Sequence, residues 1–249
     1  MKVLMRAFII TSVIVLPMMC YAQKQISTQY HGWYMYFGNH KLTDRISLHT
    51  EYQWRRADWI KTWQQSLLRL GIDYKINDAV SVTVGYGNII TWPYGDQPLP
   101  YKFNEHRLWE QAVVTQRVNR FYLNHRYRLE QRWLQGNGTS EENTYTFRER
   151  VRYRFLIMYP LNHPDLVPKT FFISAYDEIF SQFGKNFKFN YLDQNRLYVA
   201  LGYQYSSHGN IQVGYLNQYV VKGNAIQAES NHTLQVGLTY NFDFRKHHS

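Results

Sequence analysis

Arginine takes every second position in Arg148, Arg150, Arg152 and Arg154, and again in Arg126, Arg128 and Arg132, where Glu130 fills the intervening place. Arg45, Glu51 and Arg55, then Arg69, Glu105 with Arg107, and Arg196 repeat the theme more sparsely. A planar guanidinium pairs in bidentate fashion with a carboxylate, or cradles a phosphate or carboxylate anion. Two chemistries therefore suit these residues. One is an internal ion-pair network that fills an interior and fixes its register. The other is a site for an anionic solute or a lipopolysaccharide phosphate. The network is the plainer reading.

Other reactive residue types do not assemble into a catalytic pattern. Ser207-His208-Gly209-Asn210 brings Ser, His and Asn together, but turn chemistry explains that string. His106 lies between Glu105 and Arg107, and reads as part of an interior polar cluster rather than an acid–base centre. His247-His248 near the chain end is weak as a metal pair. The glycines lack the strand, Gly-rich turn and helix context of a phosphate loop. The sequence supplies no catalytic residue, no cofactor site and no metal site.

The elements that must position the arginines follow from alternation. In Arg45–Arg55, Ile46, Leu48, Thr50, Tyr52 and Trp54 share one face, and Arg45, Ser47, His49, Glu51, Gln53 and Arg55 share the other. Side chains alternate across a β-strand, so each strand has an apolar and a polar side. The same period recurs in Leu68–Ile76, Val80–Gly87, Phe121–Trp133, Arg148–Ile157, Arg196–Tyr205, Ile211–Tyr219 and Leu234–Phe244. Many of these runs reach 10 or more residues, which suits a tilted strand crossing a bilayer. Tyr, Trp and Phe gather near strand ends, as in the aromatic girdles of membrane barrels.

Export fits this picture. Met1–Ala22 has Lys2 and Arg6, a mostly apolar Ala7–Met19 stretch, and the Cys20-Tyr21-Ala22 spacing of a cleaved signal peptide. Residues 23–249 then form one domain without cysteine, and so without disulfides. The formal charge of +10 falls to +8 on cleavage, because two bases leave and no acid does. An exported chain of this kind has no use for nucleic acid. The mean hydropathy of −0.50 and the 22 tyrosines among 249 residues agree with a barrel, and exclude a bundle of membrane helices.

The expected architecture is thus all-β, an antiparallel transmembrane barrel of the bacterial outer membrane. Short connections (Gly38–Thr43, Asn77-Asp78, around Asn119, Ser206–Gly209, with Tyr159–Lys169 a longer member of that side) alternate with a second set (Arg56–Lys61, Trp92–Lys102, Gln135–Asn143, Ser181–Leu192, Val221–Ser230). The pattern puts tight turns in the periplasm and long loops outside. Alternation counts eleven strands from Ser27–Phe37 onward. Both termini in the periplasm require an even number, which favours twelve with ten as the alternative. A barrel enzyme acting on envelope lipid, and a soluble periplasmic barrel or sandwich, are the competing classes.

Gln235, Gly237, Tyr240 and Phe242, continued by Phe244, have the polar–x–Gly–x–x–aromatic–x–aromatic form of a C-terminal assembly signal. That makes the barrel-assembly machinery an expected partner, beside outer-membrane lipid and lipopolysaccharide. The chain also resembles the uncharacterised outer-membrane barrels grouped as domain of unknown function 2490. Trp33, Glu51-Tyr52-Gln53-Trp54-Arg55, Gly71–Asn77, Glu105–Gln111, Arg126–Arg132, Arg148–Tyr153, Asp177-Glu178 and Asp193–Leu197 carry the resemblance. It implies an outer-membrane barrel and brings no activity with it.

Charge on the polar faces sharpens the expectation. Arg45, Arg55, Arg69, Lys75, Arg107, Arg117, Arg126, Arg128, Arg132, Arg148, Arg150, Arg152, Arg154 and Arg196 oppose Glu51, Asp73, Glu105, Glu130, Asp243 and one of Asp177 and Glu178. Fourteen bases against six acids leave a surplus of eight positive charges. Eight uncompensated charges cannot sit in a dry interior. The lumen is therefore expected to be narrow, partly obstructed and wet, favouring a small anionic solute.

Overall fold

The computed structural model describes residues 24–136, 144–186 and 191–245. Eleven strands run in chain order: β1 (Gln25–Lys41), β2 (Ile46–Ala57), β3 (Thr62–Lys75), β4 (Val80–Thr91), β5 (Phe103–Val118), β6 (Phe121–Gln135), β7 (Tyr145–Pro160), β8 (Thr170–Phe183), β9 (Leu192–Gln204), β10 (Gly209–Val221) and β11 (Gln227–Tyr240). Each pairs with its chain neighbours in antiparallel fashion, and β1 joins β11 to close the barrel. No described helix is long and apolar enough to cross a membrane.

The strand count corrects the parity argument, because the closing pair is parallel. β1 runs alongside β11 from Gln25↔Gln227 to Phe37↔Thr239. An odd number of strands closes without an edge only if one pair is parallel, and here that pair is the seam. Twelve or ten strands are not needed. The first strand therefore starts at the end of the barrel opposite to that where the last one finishes. We call these the loop end, with the connections after β2, β4, β6, β8 and β10, and the turn end. The signal-peptide region 1–22 and His247-His248 lie outside the described residues.

Alternation makes the barrel apolar outside and charged within. Leu68, Leu70 and Ile72 on β3, Leu197, Val199 and Leu201 on β9, and Val84, Leu108 and Val151 between them are exposed on the outer wall. Arg69, Glu105, Glu130, Arg150 and Glu178 on the inner wall are buried. Aromatic rings pair on the outside near both ends. Trp63 and Trp92 lie 4.8 Å apart at the loop end, and Phe171 and Tyr203 lie 4.7 Å apart at the turn end.

Glycine makes room for the indole that enters from β5. Gly71, Gly85 and Trp109 are consecutive partners across β3, β4 and β5. A Cβ on Gly85 would come within 2.5 Å of the Trp109 indole. Absence of that atom lets the indole lie flat across the inner wall, fully buried. Phe172 uses Gly202 on β9 in the same manner.

Candidate functional site

Strand register, rather than sequence proximity, brings the interior charges together. Glu130 on β6 sits directly opposite Arg150 on β7, and its carboxylate is completely buried. Arg150 donates to its Oε2 at 2.5 Å, and Arg152 to its Oε1 at 2.7 Å. Arg107 on β5 reaches the same oxygen at 3.2 Å, and Arg69 on β3 lies at 3.6 Å. One carboxylate thus gathers arginines from three strands. Glu105 holds Arg107 at 2.5 Å and Arg132 at 2.8 and 2.9 Å, a bidentate pairing for the latter. Glu51 holds Arg69 at 2.6 Å, and Asp193 holds Arg150 at 2.6 Å.

Aromatic rings fill the gaps in this layer. Trp33 on β1 lies between Arg55 (3.9 Å to the ring centre) and Arg196 (5.0 Å). Phe180 on β8 is covered by Arg152, Arg196 and Arg150 at 4.3, 4.6 and 5.0 Å. Trp33 also donates its indole N–H to Gln64 at 2.7 Å. Desolvated guanidinium on an aromatic face is attractive in its own right. The result is a charged and aromatic partition across the lumen at mid-height. Arg55, Arg69, Arg152 and Arg196 face a cavity on each side of it, of about 230 Å³ toward the loop end and about 300 Å³ toward the turn end.

The two compartments differ. At the loop end, the connection between β4 and β5 folds inward and covers the mouth. Tyr94 packs edge-on against His31 at 5.4 Å and donates to Glu229 at 3.4 Å, while Lys222 pairs with Glu229 at 2.5 Å. Burial, with Glu229 beside it, pushes the Tyr94 phenol above its ordinary value. At the turn end, Arg126 and Arg128 on β6 stand directly opposite Arg154 and Arg152 on β7. Like charges facing across a ladder repel. Glu178 bridges Arg126 at 2.5 Å and Arg152 at 2.6 Å, which sets one carboxylate on one diagonal of this square. The other diagonal, Arg128 and Arg154, has no carboxylate within 4.0 Å among the described residues.

Most of the arginines and glutamates picked out by alternation do line the lumen: Glu51, Arg55, Arg69, Glu105, Arg107, Arg126, Arg128, Glu130, Arg132, Arg148, Arg150, Arg152, Arg154 and Arg196. Arg45 does not. It lies in the turn after β1 and donates to the Tyr74 hydroxyl at 3.4 Å, because the strand begins one residue later. Lys75 pairs with Asp78 in the next turn, Arg117 with Asp165, and Asp243 with Arg245, all outside the lumen. Of Asp177 and Glu178, the inward one is Glu178. His106 also departs from expectation. As the residue between inward Glu105 and Arg107 it must face out, and it bonds Tyr86 at 2.5 Å.

Two interior acids escaped the sequence reading, Asp193 and Glu229. Glu229 falls in Gln227-Ala228-Glu229-Ser230-Asn231, too polar to announce a strand, yet its parity with Gln235 and Gly237 on β11 carried the signal. Eleven arginines and Lys222 thus meet seven carboxylates among the described residues, a surplus of five rather than eight. Gln235 and Gly237 face the lumen, whereas Tyr240, Phe242 and Phe244 form an outer stack with ring centres 4.8 and 5.6 Å apart. Ser207 and His208 do meet, at 3.0 Å in an exposed turn, but Asn210 accepts from Gln212 instead of orienting the imidazole.

Fold and site together define a closed β-barrel with an apolar outer wall and an arginine-rich, ion-paired interior. A family model described as protein of unknown function (DUF2490) matches residues 30–229, and the chain belongs to that family. No curated protein and no solved structure matches it.

Proposed function

We propose that the chain is an exported outer-membrane barrel whose lumen is closed at mid-height and opens a small arginine-lined vestibule toward the periplasm. The observation that carries this reading is the inversion of the wall: exposed Leu, Ile and Val outside, ion pairs inside. An apolar surface of this extent suits lipid rather than water. Strands of 12 to 17 residues exceed the roughly 9–11 that a tilted strand needs to cross the hydrocarbon core. The aromatic pairs near both ends match the depth of the lipid headgroups, including lipopolysaccharide on the outer side. Tyr240, Phe242 and Phe244 present a continuous outward ridge, suited to recognition by the barrel-assembly machinery.

Closure follows from the Glu130 layer. Its partners sit at hydrogen-bond distance and the carboxylate is completely buried, so the partition supports no continuous water path at rest. The surplus positive charge makes any residual conductance anion-favouring. Cell fractionation with heat-modifiable gel mobility tests the location. Epitope tags before Gln25 and after Arg245 test the topology, since the parallel seam puts them on opposite faces. Both tags reachable by antibody in intact cells, or a protein recovered in the soluble fraction, would refute the reading. Bilayer recordings test the closure: currents are expected to be small and anion-selective, and large cation-selective currents would refute it.

A further inference from the structure

We infer that the turn-end vestibule binds a small organic anion, with a phosphate or carboxylate head held by Arg128 and Arg154 and an apolar body against the opposite wall. The inference rests on the closed-lumen reading, since a vestibule needs a floor.

The first argument is charge. The Arg126, Arg128, Arg152 and Arg154 square carries four guanidinium groups on adjoining rungs of β6 and β7. Glu178 pairs with one diagonal and leaves the other without an ion pair within 4.0 Å among the described residues. Arg128 is only 2% exposed, stacks over Trp109 at 4.6 Å, and gives its Nε and Nη2 protons to Gln111 Oε1 at 3.1 and 2.7 Å. Its Nη1 is buried with no partner among the described residues. Arg154 is held by Asn124 at 3.4 Å, and its Nε likewise lacks a partner. A buried cation left with free donors is costly, and an anion bridging the two supplies both charge and acceptors.

Shape supplies the second argument. The cavity of about 300 Å³ is at the lower limit of small-ligand sites. Arg126, Arg128, Arg152 and Arg154 line it from β6 and β7, while Met35 and Phe37 on β1 line it from across the barrel, joined by Tyr176 and Tyr198 on β8 and β9. A bare inorganic anion would leave that aromatic wall uncovered. An anion with a ring or short chain would cover it. Gly237 opens the space further, since a Cβ there would meet only Phe37, at 3.9 Å.

Calorimetric titration of the refolded mature chain in detergent tests the proposal, with phenylphosphate and benzoate as probes and inorganic phosphate and benzylamine as controls. Phenylphosphate and benzoate are expected to saturate one site, inorganic phosphate to bind more weakly, and benzylamine to give no heat. Arg128→Gln with Arg154→Gln should weaken phenylphosphate at least about tenfold, the loss expected for a charged hydrogen bond. Gly237→Met, which leaves every arginine in place and fills the cavity, should do the same and serves where the arginine variant does not fold. Unchanged affinity in both variants overturns the proposal, as does equal binding of benzylamine. Inorganic phosphate binding as tightly as phenylphosphate overturns the organic body. Conductance of the same preparation separates the two readings. A conducting barrel that still binds phenylphosphate sinks the closed lumen alone, and a closed barrel that binds neither probe sinks the site alone.

Discussion

Glu130 and Arg128 stand two residues apart on β6, face the same way, and are both buried, at 0% and 2% exposure. Their surroundings are opposite. Glu130 collects three arginines at hydrogen-bond distance and a fourth at 3.6 Å. Arg128 meets a glutamine, an indole and another arginine across the ladder. A barrel interior with more bases than acids cannot satisfy both positions. This one concentrates its carboxylates into a neutralised layer and leaves the excess cation beside a cavity. The contrast separates a structural use of arginine from one that leaves donors free for a ligand.

The sharpest way to break that contrast is to remove the shared carboxylate. Glu130→Gln should cost about 3–5 kcal/mol in denaturant unfolding of the refolded protein, because four buried arginines lose the carboxylate they share and keep only one each. Arg128→Gln should stay within about 1 kcal/mol of the parent, as lost stacking is offset by relief of the Arg128–Arg152 repulsion. Equal losses for the two variants would erase the distinction between layer and vestibule.

Glycine substitutions probe the same boundary with a smaller effect. Gly85→Ala drives a methyl into the Trp109 ring, and should cost about 1–3 kcal/mol with a change in near-ultraviolet circular dichroism. Gly237→Ala faces open space and should be neutral or slightly stabilising in the same assay. A larger loss at Gly237 than at Gly85 would mean the vestibule is packed, not open.

The smallest effect belongs to the chain end, where charges are exposed rather than layered. Arg245 pairs with Asp44 at 2.6 Å and hydrogen-bonds Asp243, and the Asp243 bonds, with the Arg245 and Lys41 charges, hold that carboxyl well below the ordinary range. A depressed carboxyl contributes stability that is present above its unfolded value, near ~3.9, and fades as pH falls through the folded one. Docking of the Phe244 N–H onto Lys41, 2.9 Å apart, should hold from pH 8 to pH 5 and loosen only in strong acid. Hydrogen exchange at Phe244 reads this directly, and loosening near neutrality would contradict it.

Much of the molecule was legible from alternation, because the facing of a side chain in a strand is a local property with a period of two. Arg150, Arg152 and Glu130 could be placed on the inner wall from their neighbours alone. So could the outward aromatics and the glycines that admit Trp109. Strand ends were less secure: Arg45 carries inward parity but falls in a turn, and Lys75, the last residue of β3, pairs with Asp78 of the following turn instead of reaching the lumen.

What only the tertiary structure decided is non-local. Register across β6, β7 and β8 selects which arginine diagonal Glu178 pairs with, and nothing within any one strand encodes that choice. Parity of the strand count depends on how the first strand meets the last, and the parallel β1–β11 seam admits eleven. Inward folding of the β4–β5 connection, which carries Tyr94 to Glu229, likewise depends on the mouth it covers. Composition and alternation determined an arginine-rich interior within an apolar wall; closure of the barrel determined which of those charges are spent on each other and which remain.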